Sequence, residues 1–233
     1  MFVPADDPTV VALTSAVRSG DVRRLSELLA EHPHLATARF GDSDGMSREA
    51  LHVATDWPGH FPGVAATIDV MIDAGANVNA RFAGPHVETP LHWAASSDDV
   101  DALDALLDAG ADIEADGGVL TGGPPLDDAV IFGQWNAARR LIERGATSKL
   151  FHAAALGDAA RVAELLAPRP NQDVISSALW HACNGGQLET ALLLLEAGGD
   201  PLWAGYDDRS PLQAARGSDN EELAAVMAAW AAG

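Results

Sequence analysis

Three residues stand where acid–base chemistry could begin. Asp128, His152 and His181 each lie two places after a leucine, Leu126, Leu150 and Leu179, that opens an apolar helical stretch. A carboxylate near two imidazoles can raise a histidine's pKa, pass a proton, or supply metal ligands. Trp93, Trp135 and Trp180 fall close to the same frame, so a polar pocket with aromatic walls is one reading. The other is structural: semi-buried polar side chains hydrogen-bonded to their surroundings. Metal binding is the weaker form of the first, because no two of the three are spaced as His-x-His or i, i+4 ligands. No Gly-x-Ser-x-Gly, Cys/His nucleophile pair or dinucleotide fingerprint occurs. The glycine pairs of Asp116–Ala129 (DGGVLTGGPPLDDA) lack the Lys and Ser/Thr of a phosphate loop, and this stretch is expected to be a flexible finger.

The elements that would carry these residues recur along the chain. Gly75, Gly110 and Gly145 open the similar segments GANVNAR, GADIEAD and GATSK at a step of 35 residues, with a looser copy at Gly198. Apolar pairs precede the glycines: Leu28-Leu29, Met71-Ile72, Leu106-Leu107, Leu141-Ile142, Leu165-Leu166 and Leu194-Leu195. Each pair closes a run of helical period, as in Val22, Leu25, Leu28 and Leu29, which puts one apolar face on a second helix. A first helix opens at Leu13, Leu51, Leu91, Leu126, Leu150, Leu179 and Leu212. A helical hairpin with one apolar face cannot hide it alone, so copies must stack, with polar faces on the terminal ones.

The motifs themselves resemble the ankyrin-repeat family. Thr89-Pro90-Leu91-His92 is that family's complete opening, with partial copies at Ala50-Leu51-His52, Pro125-Leu126 and Ser210-Pro211-Leu212-Gln213; its Leu-Leu-x-x-Gly-Ala-Asp close stands at Leu106–Asp112. The resemblance implies an all-α fold, an ankyrin-repeat α-solenoid of about seven helix-turn-helix repeats including both caps. It covers residues 10–233 as a single domain, after an N-terminal arm at 1–9. It also implies that His52 and His92 hydrogen-bond neighbouring backbone and tie repeats together.

Two regions depart from the pattern. The second repeat carries five more residues between its helices than the third, including Trp57, Pro58, His60, Phe61 and Pro62. Prolines and glycines exclude helix there and predict a rigid loop whose aromatics either fold back or meet a ligand. From Ile142 to Leu150 the connection is too short for the hairpin finger the family places between repeats.

Carried over repeat by repeat, the family's recognition positions fall on Trp57, Ser96, Ile131, Phe132, Leu156 and Asn184 at first-helix tips, and on Phe82, His86, Tyr206 and Asp208 in fingers. Ile131, Phe132, Ala155 and Leu156 are expected to form an apolar strip with an acidic rim. The reading favoured is a non-catalytic module that docks a basic or amphipathic segment of another protein on its concave face. Its alternative is a small-molecule binder or enzyme at Asp128, His152 and His181.

Composition narrows the partners. The 34 acidic and 14 basic residues leave a formal charge of −20, which repels phosphates and argues against nucleic acid and membrane surfaces. No cofactor is expected, and the chain is expected to be monomeric. One cysteine, Cys183, excludes an intrachain disulfide and is read as a small buried residue. The N-terminus lacks a secretory pattern and no apolar run reaches about 18 residues, so a cytoplasmic location is expected. Abundant alanine and arginine point to a high-GC bacterial genome.

Overall fold

Aspartate or proline begins half of the described α-helices, and leucine spacing decides what each buries. The computed structural model describes residues 1–41, 45–205 and 208–232, which divide into two compact units, Met1–Ala146 and Thr147–Gly233. The boundary falls inside the connection whose shortness the sequence singles out.

In the first unit α1 (Pro8–Ser19), α3 (Ala50–Ala54), α5 (Pro90–Ser96) and α7 (Pro125–Ile131) pack side by side as one layer. A second layer is built by α2 (Val22–Glu31), α4 (Val64–Asp73), α6 (Val100–Asp108) and α8 (Trp135–Glu143). The second unit repeats the plan, with α9 (Leu150–Leu156), α11 (Gln172–Asn184) and α13 (Pro211–Gly217) in one layer and α10 (Ala159–Leu166), α12 (Leu188–Glu196) and α14 (Glu221–Ala232) in the other. Among the described residues no helix is long and apolar enough to cross a membrane.

The core lies between the layers. Leu13, Leu51, Leu91 and Leu126 are sealed there with Leu25, Ile68, Met71, Leu103, Leu106 and Leu141, each burial contributing about 2 kcal/mol. Leu179, Leu194, Leu223 and Met227 do the same in the second unit. Cys183 is buried among them, and burial pushes its thiol up to about 12, so it packs as a small apolar group. On α2 the exposed face carries Arg23, Arg24 and Glu27 in local ion pairs, the polar surface a terminal repeat needs.

Aspartates cap the turns. Asp21, Asp99 and Asp158 accept the N–H of Arg24, Ala102 and Arg161 at the starts of α2, α6 and α10. Each such cap stabilises its helix by about 1 kcal/mol. Gly20, at φ 68° between α1 and α2, is needed twice over: a Cβ there would also strike the carbonyl of Pro62.

Imidazoles cap the first helices. Three residues into α5, His92 accepts the N–H of Thr89 on Nδ1 (3.1 Å), which leaves Nε2–H to donate to the carbonyl of Gly123 in the connection to the next repeat (3.1 Å). His52 does the same at α3, from the N–H of Glu49 to the carbonyl of Glu88. His152 accepts the N–H of Lys149 at the start of α9, and Gln213 takes this place in α13.

One feature adds to the sequence reading and two differ from it. The N-terminal arm is structured: β1 (Phe2–Pro4) pairs in parallel with β2 (Arg39–Gly41), which pairs antiparallel with β3 (Ser47–Arg48). The glycine-rich stretch is tied and not a free finger, because Gly117 and Gly118 donate to the carbonyls of Gly122 and Gly123 and Val119 donates to a carboxylate of the preceding repeat. Position also corrects His152: α9 begins at its leucine, one residue later than α5 does, so His152 acquires the capping role of His92.

Burial holds the His52 imidazole down to about 3, so it is neutral in the folded chain. The unfolded chain binds its proton near pH 6.5, and the stability present above that pH falls away as pH drops toward 3. Between pH 6.5 and 4.5, urea unfolding of the wild type should weaken more steeply than that of His52→Gln, by roughly 1 kcal/mol per pH unit. His92→Ala should cost about 2 kcal/mol at pH 7, against under about 0.5 for His34→Ala on the surface.

Candidate functional site

The inserted loop of the second repeat is fastened on both sides. Asp56 accepts Arg18 (2.9 Å) and Arg48 (2.8 Å), and the backbone N–H of His60 donates to Asp99 while its ring Nε2 meets the carbonyl of Ser97 (3.1 Å). Phe61 folds back under the Arg18 guanidinium, 5.9 Å from its ring centre. Trp57 does not fold back: it is 80% exposed. With those anchors made, the loop holds one large aromatic toward solvent.

Beside it opens a cavity of about 470 Å³. Trp57, Trp93 and Phe132 contribute its aromatic surfaces, and His86, Ser96 and the nearly buried Glu88 line it with them. Phe82 supports the wall from behind, stacked on His86 at 4.5 Å and tilted against Trp93 at 5.6 Å.

Glu88 immediately precedes the Thr-Pro-Leu-His opening and is only 6% exposed. The indole N–H of Trp93 donates to its Oε2 (2.9 Å), the backbone N–H of Val119 donates to its Oε1 (3.0 Å), and His86 Nδ1 lies 2.9 Å from Oε2. Its own carbonyl accepts His52 from the second repeat and the N–H of Phe82. One residue thereby joins the second repeat, the third, and the connection to the fourth.

Asp128 is buried close by, and its neighbours are acidic. Burial, then the nearby charge of Glu88, then that of Asp127, push its carboxyl up to about 8, so it is protonated at neutral pH. Asp127 takes the place in α7 that His92 has in α5 and accepts the hydroxyl of Thr121 (3.0 Å).

Residues 88–117 match the family model described as the ankyrin repeat. The ankyrin-repeat domain of human ASB11 superposes with a TM-score of 0.55 at 19% identity, covering 94% of this chain and 96% of that one. The ankyrin-repeat domain of Bcl-3, a unique member of the IkappaB protein family, gives 0.54 at 22% identity, over 93% and 97%. The fold is that of the ankyrin-repeat proteins. No curated protein matches the sequence at a significant level.

On this ankyrin-repeat fold the recognition positions separate. Trp57, His86, Ser96 and Phe132 line one cavity and Phe82 backs it, while Ile131 is half-buried on the same helix as Asp128. Leu156, Asn184 and Asp208 belong to the second unit, with Leu156 and Asn184 half-buried and Asp208 exposed. Tyr206 lies outside the described residues. The expected apolar strip loses Ala155, which is buried where Gly185 presses against its carbonyl.

The histidines of the alternative reading are fully buried in the second unit. His152 is occupied as a cap, its ring 4.0 Å from Phe151, and His181 packs between Phe151 (4.9 Å) and Trp180 (5.0 Å). Among the described residues no group of three or more His, Cys, Asp or Glu could hold a metal ion. Glu88 carries little sign of its burial in the sequence. Its burial depends on partners at positions 93 and 119, and the only local signal is its place directly before the repeat's opening turn.

Asp128 keeps its proton when folded and loses it near pH 4 when unfolded, so the cost of burying it grows as pH rises from 4 to 8. Asp128→Asn should therefore stabilise the chain by ~2 kcal/mol or more at pH 7.5, with the gain shrinking to nothing near pH 4 in denaturant titrations.

Proposed function

We propose that this chain is a non-catalytic interaction module, docking a basic or amphipathic segment of another protein on the first-helix layer of its first unit. One observation carries the reading: four side chains placed on the recognition surface by repeat register, Trp57, His86, Ser96 and Phe132, line a single cavity. Trp57 and Phe132 are 80% and 45% exposed, large apolar groups of the kind that anchor interfaces. Stacked repeats generate extended binding surfaces on this layer, and domains of this fold generally serve protein–protein contact.

The mechanism is burial of these two aromatics with electrostatic attraction from the acidic surface. Much of the acidity is already committed: Asp21, Asp99 and Asp158 cap helices, and Asp104 binds Arg140 and Arg144. Steering by the remainder raises the association rate more than the affinity and weakens with salt.

A photo-crosslinking amino acid at Ser96 should capture the partner, and the same group at Glu143 on α8 should not. Trp57→Ala and Phe132→Ala should each lower affinity tenfold or more, about 1.4 kcal/mol. Crosslinks confined to Glu143, or affinities untouched by both substitutions, would contradict the proposal.

A further inference from the structure

We infer that the cavity of the first unit binds an organic ammonium, preferring an N-methylated head to a bare one. The inference deepens the docking proposal and rests on it for placing the working surface on this face.

Charge in the cavity gives the first argument. Glu88 is 6% exposed, and its firm donors, the indole of Trp93 and the amide of Val119, are neutral. Among the described residues no arginine or lysine pairs with it; His86, 2.9 Å away, supplies a charge only when protonated. Asp56, the other acid on the wall, is answered by Arg18 and Arg48. The site therefore holds one buried carboxylate without a fixed countercharge, a state that an entering cation relieves. An anionic ligand would find no arginine or lysine on the lining.

The walls give the second. Trp57, Trp93 and Phe132 present π systems to the same space, and a ring face attracts a desolvated cation by about 2 kcal/mol, best for tryptophan. Trp93 already draws one: the Arg48 guanidinium, held on Asp56, sits 6.0 Å from its ring centre.

Hydrogen bonding sets the preference. Both oxygens of Glu88 already accept N–H donors and Asp56 is held by two arginines, so a primary ammonium would give up its water shell for carboxylates already engaged. An N-methylated head has fewer hydrogen bonds to lose and more apolar surface for the rings. A cavity of about 470 Å³ takes the head and the first part of its chain. Such a head comes on a free quaternary amine or on a methylated lysine of a partner segment.

The test is isothermal titration of the full chain with choline, with a short neutral peptide carrying trimethyl-lysine, and with 3,3-dimethylbutanol, the uncharged shape-mimic of choline. At least one cation should bind saturably, with the mimic at least tenfold weaker. Trp57→Ala, a substitution of an exposed residue, and Glu88→Gln should each weaken the cation at least tenfold. A tighter peptide assigns the head to a protein partner; tighter choline assigns it to a small molecule. No saturable binding of either cation, equal binding of the mimic, or full binding by Trp57→Ala would overturn the inference. If those probes fail while Ser96 still crosslinks a partner through Trp57, docking stands and the cation reading alone falls.

Discussion

A buried imidazole that spends one nitrogen on its own helix and the other on the next repeat is the contact on which the first unit depends. His52 and His92 convert a stack of apolar hairpins, which could slide, into one with fixed register. Each such imidazole is desolvated and must be paired, so it tolerates only one spacing between neighbours. What His52 holds is the backbone of Glu88, and from that point the cavity is built outward. The side chain of Glu88 turns inward to Trp93 and Val119, and Asp128 beside it keeps its proton. A capping interaction that begins as local helix chemistry thus ends by placing a carboxylate in a cavity lined by three aromatic side chains.

Surface charge and site charge have different origins. Many of the carboxylates have structural partners, in caps such as Asp21 and Asp99 or in arginine pairs such as Asp104 with Arg140 and Arg144. Glu88 is a nearly buried carboxylate on the cavity wall, paired with neutral donors and a histidine. A strongly negative total charge therefore says little about where a partner sits. One desolvated charge beside exposed tryptophan says more.

The fold was legible because stacking imposes a repeating demand: a leucine at each first-helix opening, an apolar pair at each close, and a histidine where a helix needs a cap. Residues whose position follows from that period, such as Leu91, His92 and Leu106, lie where the pattern puts them. Residues governed by partners far along the chain do not announce themselves. Trp57 and Phe61 look equivalent in sequence; contacts with Arg18, Ser97 and Asp99, tens of residues away, fasten the loop with Phe61 folded back and Trp57 facing solvent. His152 looked like a member of a polar column until the later start of α9 made it a cap. Glu88 is drawn inward by Trp93 in its own repeat and by Val119 in the next connection, which its local sequence does not reveal.

The measurement that bears most directly on this account is the carboxyl carbon titration of Asp128 by NMR, in the wild type and in Glu88→Gln. If a buried carboxylate at Glu88 organises the site, Asp128 titrates near pH 8 in the wild type and moves down when that charge is removed. Titration of Asp128 near pH 4, unchanged by Glu88→Gln, would mean that no uncompensated charge lies beneath the aromatic cavity.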